Sequence, residues 1–226
     1  MRETLQAYVS DTNPIVEIRP YKPGFRIHWM IGKRCNFACT YCPDMWHDDH
    51  SPHKTFDELV TAWHKIIAAV EHRPNLMIDL TFMGGETTMN PDLLPFVKWV
   101  HDHHTEQIAE MGVVTNGTAA VEYYKTLTQY CTWLAFSTHS EFMNEAKFFS
   151  TVTEVDQHAK QNSCHVSVNI MDEAWNKDRT TDYIKYLQDN KIHYSLQPIK
   201  DIGKESMGVK KSNKVNFYER ISSPRL

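Results

Sequence analysis

Six short runs rich in β-branched and aromatic residues punctuate the chain, and between consecutive runs the apolar residues recur at helical spacing. The runs are Phe25–Ile31, Met77–Phe82, Gly112–Thr115, Trp133–Ser137, His165–Ile170 and His193–Gln197. The first interval carries Leu59, Trp63, Ile66, Ile67 and Val70 on one face of a helix expected from about Thr55 to His72. Thr55 followed by Glu58 is a capping-box pattern, which marks where that helix starts. The second helix is expected to open at Pro91, a residue suited to a first helical position, and to present Leu93, Leu94, Val97 and Val100. Further helices are expected over about Ala119–Tyr130, Asn144–Gln161 and Asp178–Asp189. Strict strand–helix alternation builds a parallel sheet covered by helices, joined by right-handed crossovers. The expected fold is therefore α/β, a partial (β/α)6 TIM-like barrel; a flat doubly wound sheet is the other arrangement this pattern allows.

No Gly-, Ser- or Pro-rich linker divides the alternation, so residues 25–199 read as one core domain between an N-terminal extension, 1–24, and a tail, 200–226. Hydrophobic residues at 41% and charged ones at 23% place the chain among globular rather than disordered sequences. The longest apolar run near the first helix, Ile66–Val70, is far short of the ~18 residues a membrane span needs, so no membrane association is expected. The first residues lack an apolar core followed by a small-residue cleavage site, and a cytoplasmic location is expected. The net charge of −4 argues against general nucleic-acid binding. The tail departs from the rest with seven Lys/Arg against three acids. Lys200–Lys214 is expected to be mobile, and Val215–Tyr218 to dock near the barrel mouth or on a partner.

In folds of this class chemistry gathers at the C-terminal ends of the strands. There the sequence places Cys35-x3-Cys39-x2-Cys42 after the first run and Gly84-Gly85-Glu86 after the second. Asn116 follows the third run, Ser137 and His139 close the fourth, and Asn169 and Gln197 lie late in the last two. Three cysteines within eight residues of a cytosolic chain point to metal rather than to a disulfide framework. Structural zinc wants four ligands, which His47, His50 or His53 would have to complete. An ordinary ferredoxin site lacks its fourth cysteine. A cluster with one iron left open fits the three thiolates best.

The segment CNFACTYC resembles the CxxxCxΦC signature of the radical S-adenosylmethionine (radical SAM) superfamily, with Tyr41 as the aromatic residue. The resemblance implies a [4Fe–4S] cluster held by Cys35, Cys39 and Cys42, with the fourth iron chelated by S-adenosylmethionine. It further implies reductive cleavage of that cofactor to a 5′-deoxyadenosyl radical that abstracts a substrate hydrogen. Gly84, Gly85 and Glu86 match the family's GGE motif, in which Glu86 would accept from the cofactor's amino group. Asn116 resembles part of a TNG motif lining the cofactor pocket, and Ser137 matches a serine that meets the cofactor carboxylate or ribose. Tyr41, Asn169 and Gln197 complete the expected cofactor-binding set, the last two as polar residues of otherwise apolar strands.

His139 is the candidate for substrate binding or proton transfer. His101, His103 and His104 are expected on a solvated helix face, and Trp29, Trp63 and Trp133 in the core. A single-electron donor such as a flavodoxin or ferredoxin is the implied partner. The substrate is unidentified, with a preference for a peptide, protein or other bulky partner because a six-strand barrel stays open at its side. A small molecule or nucleotide is the alternative, as is activation of a glycyl-radical enzyme. A different class altogether would be a non-catalytic zinc or iron–sulfur binding module.

Overall fold

The computed structural model describes residues 15–21, 24–43, 45–70, 72–73, 77–172 and 177–199. One seven-stranded sheet runs β1 (Ile15–Tyr21), β2 (Gly24–Met30), β3 (Met77–Met83), β4 (Ile108–Thr115), β5 (Trp133–Ser137), β6 (His165–Asp172), β7 (His193–Pro198), in spatial order identical to chain order. Strands β2 to β7 are mutually parallel, while β1 pairs antiparallel with β2. Five helices make the crossovers: α1 (Phe56–Val70), α2 (Leu93–His104), α3 (Val121–Leu127), α4 (Glu145–Ala159) and α5 (Lys177–Asp189). The open sheet of six parallel strands is the expected α/β arrangement. Strand β1 is the element the hydrophobic pattern did not disclose; it lies inside what reads as an extension. The tail falls outside the described residues.

Local chemistry explains most boundaries. The Thr55–Glu58 box forms, with Thr55 N–H donating to Glu58 Oε2 at 2.9 Å and Glu58 N–H to Thr55 Oγ1 at 3.3 Å. Helix α2 starts at Leu93, two residues later than Pro91 suggested. Asn90 takes the Asp92 N–H at 2.9 Å and donates to the Lys54 carbonyl at 3.0 Å, so Pro91 sits in a turn that ties α2 to the entry of α1. Strand β4 begins at Ile108, four residues before the expected start, because its exposed first turn of chain hides the alternation.

Alternate strand residues divide between two faces, as a pleated sheet requires. Ile27, Trp29, Ile78, Leu80, Phe82, Val113, Leu134, Phe136, Val166 and Val168 are essentially buried under the helices. Trp29 stacks on Trp63 of α1 and meets Phe96 of α2 edge-on; Phe136 meets Phe148 of α4. The other set lines the concave side and is only half-buried: Arg26, His28, Asp79, Thr81, Trp133, Ser167, Asn169. Arg26 and Asp79 are register neighbours and approach to 3.7 Å. The concave side is thus a polar trough. Among the described residues no helix is long and apolar enough to cross a membrane.

Candidate functional site

The cysteine loop begins where β2 ends, and the parallel ladder does not stop with the strands. Ile31 N–H donates to Met83 O at 3.0 Å, Gly85 N–H to Gly32 O at 3.0 Å and Glu86 N–H to Arg34 O at 2.8 Å. The chain then returns alongside itself, with Cys35 N–H on Asp48 O at 2.7 Å and Asp48 N–H on Lys33 O at 3.0 Å. Such close backbone approach demands the two glycines. A Cβ on Gly85 would sit 2.2 Å from Lys33 O and 2.5 Å from Arg34 O, and one on Gly84, whose φ is +147°, would sit 2.3 Å from Gly32 O. Gly84 and Gly85 therefore press the GGE segment onto the backbone leading to Cys35.

Glu86 is 3% exposed and accepts four hydrogen bonds. Its Oε1 takes Thr88 N–H at 3.0 Å, Thr88 Oγ1 at 2.5 Å and Thr115 Oγ1 at 2.6 Å; its Oε2 takes Asn116 N–H at 2.6 Å. Burial pushes its pKa up, and these donors oppose that by favouring the carboxylate. A carboxylate offers two lone-pair sites on each oxygen; three donors crowd Oε1, and Oε2, with one, has a site to spare. Asn116 is equally engaged: its Nδ2 donates to Asn36 Oδ1 at 2.8 Å and its Oδ1 accepts from Thr118 Oγ1 at 2.7 Å. Asn36 also donates to Thr118 Oγ1 at 3.1 Å, which pins the cysteine loop to the β4 end. Asn36 and Thr88 escaped sequence reading, although Asn36 lies inside the cysteine motif itself; Thr115 is the first residue of the TNG motif.

The far side of the cysteine loop is held by the segment after β5. Thr40 donates its N–H to Glu141 Oε2 at 2.8 Å and its hydroxyl to Glu141 Oε1. Phe37 stacks on Phe142 with centroids 5.7 Å apart, and Tyr41 stacks on His139 at 6.1 Å. Nδ1 of His139 lies 2.6 Å from Tyr41 Oη and 3.5 Å from Cys39 Sγ. Burial lowers its pKa to about 4, against a small opposing pull from Glu141. Glu141 and Thr40 also escaped the sequence reading. Ser137, Asn169 and Ser195 form one lateral row across β5, β6 and β7, with Ser195 Oγ donating to Asn169 Oδ1 at 2.9 Å. Gln197 Nε2 donates to Ser195 Oγ at 3.2 Å from an exposed position at the rim. Structure thus brings Cys35, Cys39, Cys42, Tyr41, Gly84, Gly85, Glu86, Asn116 and His139 into one connected rim. Ser137, Asn169 and Gln197 lie on the next strands around it.

Residues 29–142, about half the chain, match the family profile of the Radical SAM superfamily. This chain belongs to the radical SAM superfamily. A stretch of 97 residues is 32% identical to GTP 3′,8-cyclase of Nautilia profundicola, covering 43% of this chain and 29% of that protein. The fold is shared with the crystal structure of Streptococcus suis SuiB, at a TM-score of 0.57 and 14% identity over 81% of this chain and 41% of that one. SuiB bound to S-adenosylmethionine matches at a TM-score of 0.52 and 12% identity, over 83% and 45% of the two chains. The chain therefore spans under a third of the curated relative and under half of the solved structure.

Members of the superfamily work with a [4Fe–4S] cluster and S-adenosylmethionine, and require a one-electron donor and a substrate. The donor set fits the cluster. A lone zinc ion requires four donors converging on one point, and among the described residues no three His, Cys, Asp or Glu converge in that way. A cubane takes one thiolate per iron and needs no such convergence. Burial raises the Cys39 thiol to about 12 and raises that of Cys35 as well, so a bound metal would be needed to hold them as thiolates. Cys35 Sγ already receives Phe37 N–H at 3.4 Å. Cys131 and Cys164, both buried, lie with the hydrophobic core.

Proposed function

We propose that this chain is the core of a radical SAM enzyme, with Cys35, Cys39 and Cys42 as the protein ligands of its cluster. The observation that carries the reading is the connected rim, in which the cysteine loop is hydrogen-bonded to the ends of β3 and β4 and clamped to the segment after β5. When bound, the cluster supplies the electron that splits S-adenosylmethionine, and the adenosyl radical so released takes a hydrogen from substrate. The chain's own residues do the positioning. Glu86 offers its remaining Oε2 lone pair to the cofactor's ammonium, a charge-assisted bond in a water-poor site. Gly84, Gly85 and Asn116 shape the wall on that side, Tyr41 supplies an aromatic edge, and Ser137, Asn169 and Gln197 offer hydroxyl and amide groups on the other.

The organisation proposed is a core of 25–199, an N-terminal extension of 1–24 and a basic tail of 200–226, in the cytoplasm, served by a flavodoxin- or ferredoxin-like donor. The substrate lies in the polar trough, entered past the β7 edge, which is open among the described residues and leaves room for a peptide, protein or other bulky partner. A second reading, a nucleotide substrate, is favoured by the GTP named for the 32%-identical relative. Anaerobic reconstitution tests the core reading. About four irons per chain and a brown chromophore are expected. Cys35→Ala, Cys39→Ala and Cys42→Ala should each lose them, and Cys131→Ala and Cys164→Ala should keep them. Release of 5′-deoxyadenosine under a strong reductant completes the test, and iron bound equally well by the triple cysteine variant would overturn it.

A further inference from the structure

Two sulfurs of the cysteine loop obtain their hydrogen-bond partners in different ways. Cys35 Sγ is met by a backbone N–H, that of Phe37, two residues on. Cys39 Sγ is met by a side chain one hundred residues away, Nδ1 of His139 at 3.5 Å, as well as by the nearby Tyr41 hydroxyl. The same Nδ1 lies 2.6 Å from Tyr41 Oη. A single ring nitrogen carries either a lone pair or a proton, so its two neighbours impose a choice. With Cys39 as a thiol, a bare Nδ1 accepts from the Tyr41 hydroxyl. With Cys39 as a thiolate, which only accepts, the geometry is satisfied by an Nδ1–H that donates to sulfur.

We propose that His139 is a positioning residue of the metal centre: its Nδ1–H donates to the Cys39 thiolate once that sulfur ligates iron, holding the Cys39–Tyr41 turn and raising the reduction potential of the cluster. This rests on the assignment of Cys35, Cys39 and Cys42 as ligands. Hydrogen bonds to the sulfurs of an iron–sulfur cluster stabilise its reduced, more negative state and so raise the potential. The imidazole is in place to do this because its surroundings leave it little freedom. One face stacks on Tyr41 with an interplanar angle of 8°, Phe37 meets it edge-on at 5.9 Å, and its backbone is fixed by Phe142 and Met143 N–H groups on its carbonyl. Glu141 holds Thr40, the residue next to Cys39, from the same segment. The ring therefore moves with the cysteine loop rather than past it.

The test compares wild type, His139→Phe, His139→Gln and Tyr41→Phe after anaerobic reconstitution, without S-adenosylmethionine. Iron per chain is measured first, then the reduction potential by titration followed with electron paramagnetic resonance. His139→Phe keeps the aromatic packing and removes the donor; its potential should shift negative. His139→Gln restores an N–H and should return toward wild type. Tyr41→Phe removes a second donor to Cys39 Sγ but leaves Nδ1 free to donate, so its potential should fall less than that of His139→Phe. An unchanged potential in His139→Phe overturns the proposal, as does an equal fall in the Phe and Gln variants of His139 or a fall in Tyr41→Phe matching that of His139→Phe. Should His139→Phe take up no iron while retaining its far-ultraviolet circular dichroism, uptake by His139→Gln supports the hydrogen bond and failure of both variants overturns it. Wild-type protein that binds no cluster would instead overturn the ligand assignment.

Discussion

The rim above β2–β5 and the rim above β6–β7 are built by different means. Above β2–β5, four consecutive strand ends are knitted together. The ladder continues past β2 and β3, Glu86 bridges to Thr115 and Asn116, Asn36 joins Asn116 to the cysteine loop, and Glu141 and His139 close the far side. Above β6–β7 the corresponding groups are a short chain of Gln197, Ser195 and Asn169, running from the half-buried end of β6 to the exposed end of β7. At the centre of the first region Glu86, Thr115 and Asn116 satisfy one another out of water, where a lost partner is costly, while the Asn36 and Thr40–Glu141 links that flank them are exposed. Those in the second are exposed or half-buried, and a ligand can take the place of solvent there. On the function proposed, the first half would be a preorganised cofactor wall, and the second, open among the described residues, would receive what the enzyme acts upon.

The sharpest way to break this contrast is Gly85→Ala. The new methyl would collide with two backbone carbonyls that cannot turn away, so the cysteine loop must leave its place on β3. Overpacking of this kind costs about 3 kcal/mol or more when no side chain can yield. Chemical denaturation should show that loss, and iron uptake should fall to the level of the cysteine variants. Retention of wild-type iron would mean that the continued ladder does not position the cysteines.

Next in size is Glu86→Gln. The side chain keeps its volume but exchanges one acceptor oxygen for an NH2 group, which faces N–H and O–H donors already aimed at it. A buried donor left without an acceptor costs about 1–3 kcal/mol, and that should appear in urea unfolding of the cluster-free protein. Binding of S-adenosylmethionine should weaken in the reconstituted variant as well. A smaller effect is expected for Asn36→Ala, which unties the cysteine loop from Asn116 and Thr118 at about 0.5–1.5 kcal/mol. The cluster of that variant should still assemble and be lost faster to a chelator than in wild type.

Much of this was legible in the residues because the period of two and the period of 3.6 are physical requirements of strand and helix. Trp29, Ile27 and Phe82 could face only the helices, and the cysteines could follow only β2. What was not legible depended on partners remote in sequence. Strand β1 carries no clear alternation and owes its place to an antiparallel edge offered by β2. Of the histidines read as a solvated face, His103 is exposed and stacks on Trp99 at 5.1 Å, whereas His104 is half-buried, packing on Trp99 at 5.2 Å and meeting Trp63 edge-on. A histidine's apolar ring face and its polar nitrogens look the same in a sequence, and only the neighbouring helix decides which is used. Glu86 stood out as a ligand from its motif, whereas its four donors come from Thr88, Thr115 and Asn116, which no local pattern links.

The smallest expected effect sharpens the comparison from the other side. Gln197 is exposed, its one described hydrogen bond runs to an exposed serine, and its neighbour Leu196 is itself 43% exposed on the edge strand. Truncation to alanine therefore removes no buried contact and leaves no buried group unpaired, and surface changes of that type stay within about 0.5 kcal/mol. Thermal unfolding of Gln197→Ala should superimpose on wild type, and iron uptake should be unaltered. Any change should be confined to ligand affinity, because a bound molecule would convert that solvated amide into a desolvated one whose loss then counts. A clear drop in stability would show that the β6–β7 rim is braced like the other half. An unmoved stability together with weakened ligand binding would mark Gln197 as part of the open wall, and would separate the half of the sheet that builds the metal site from the half that receives what is brought to it.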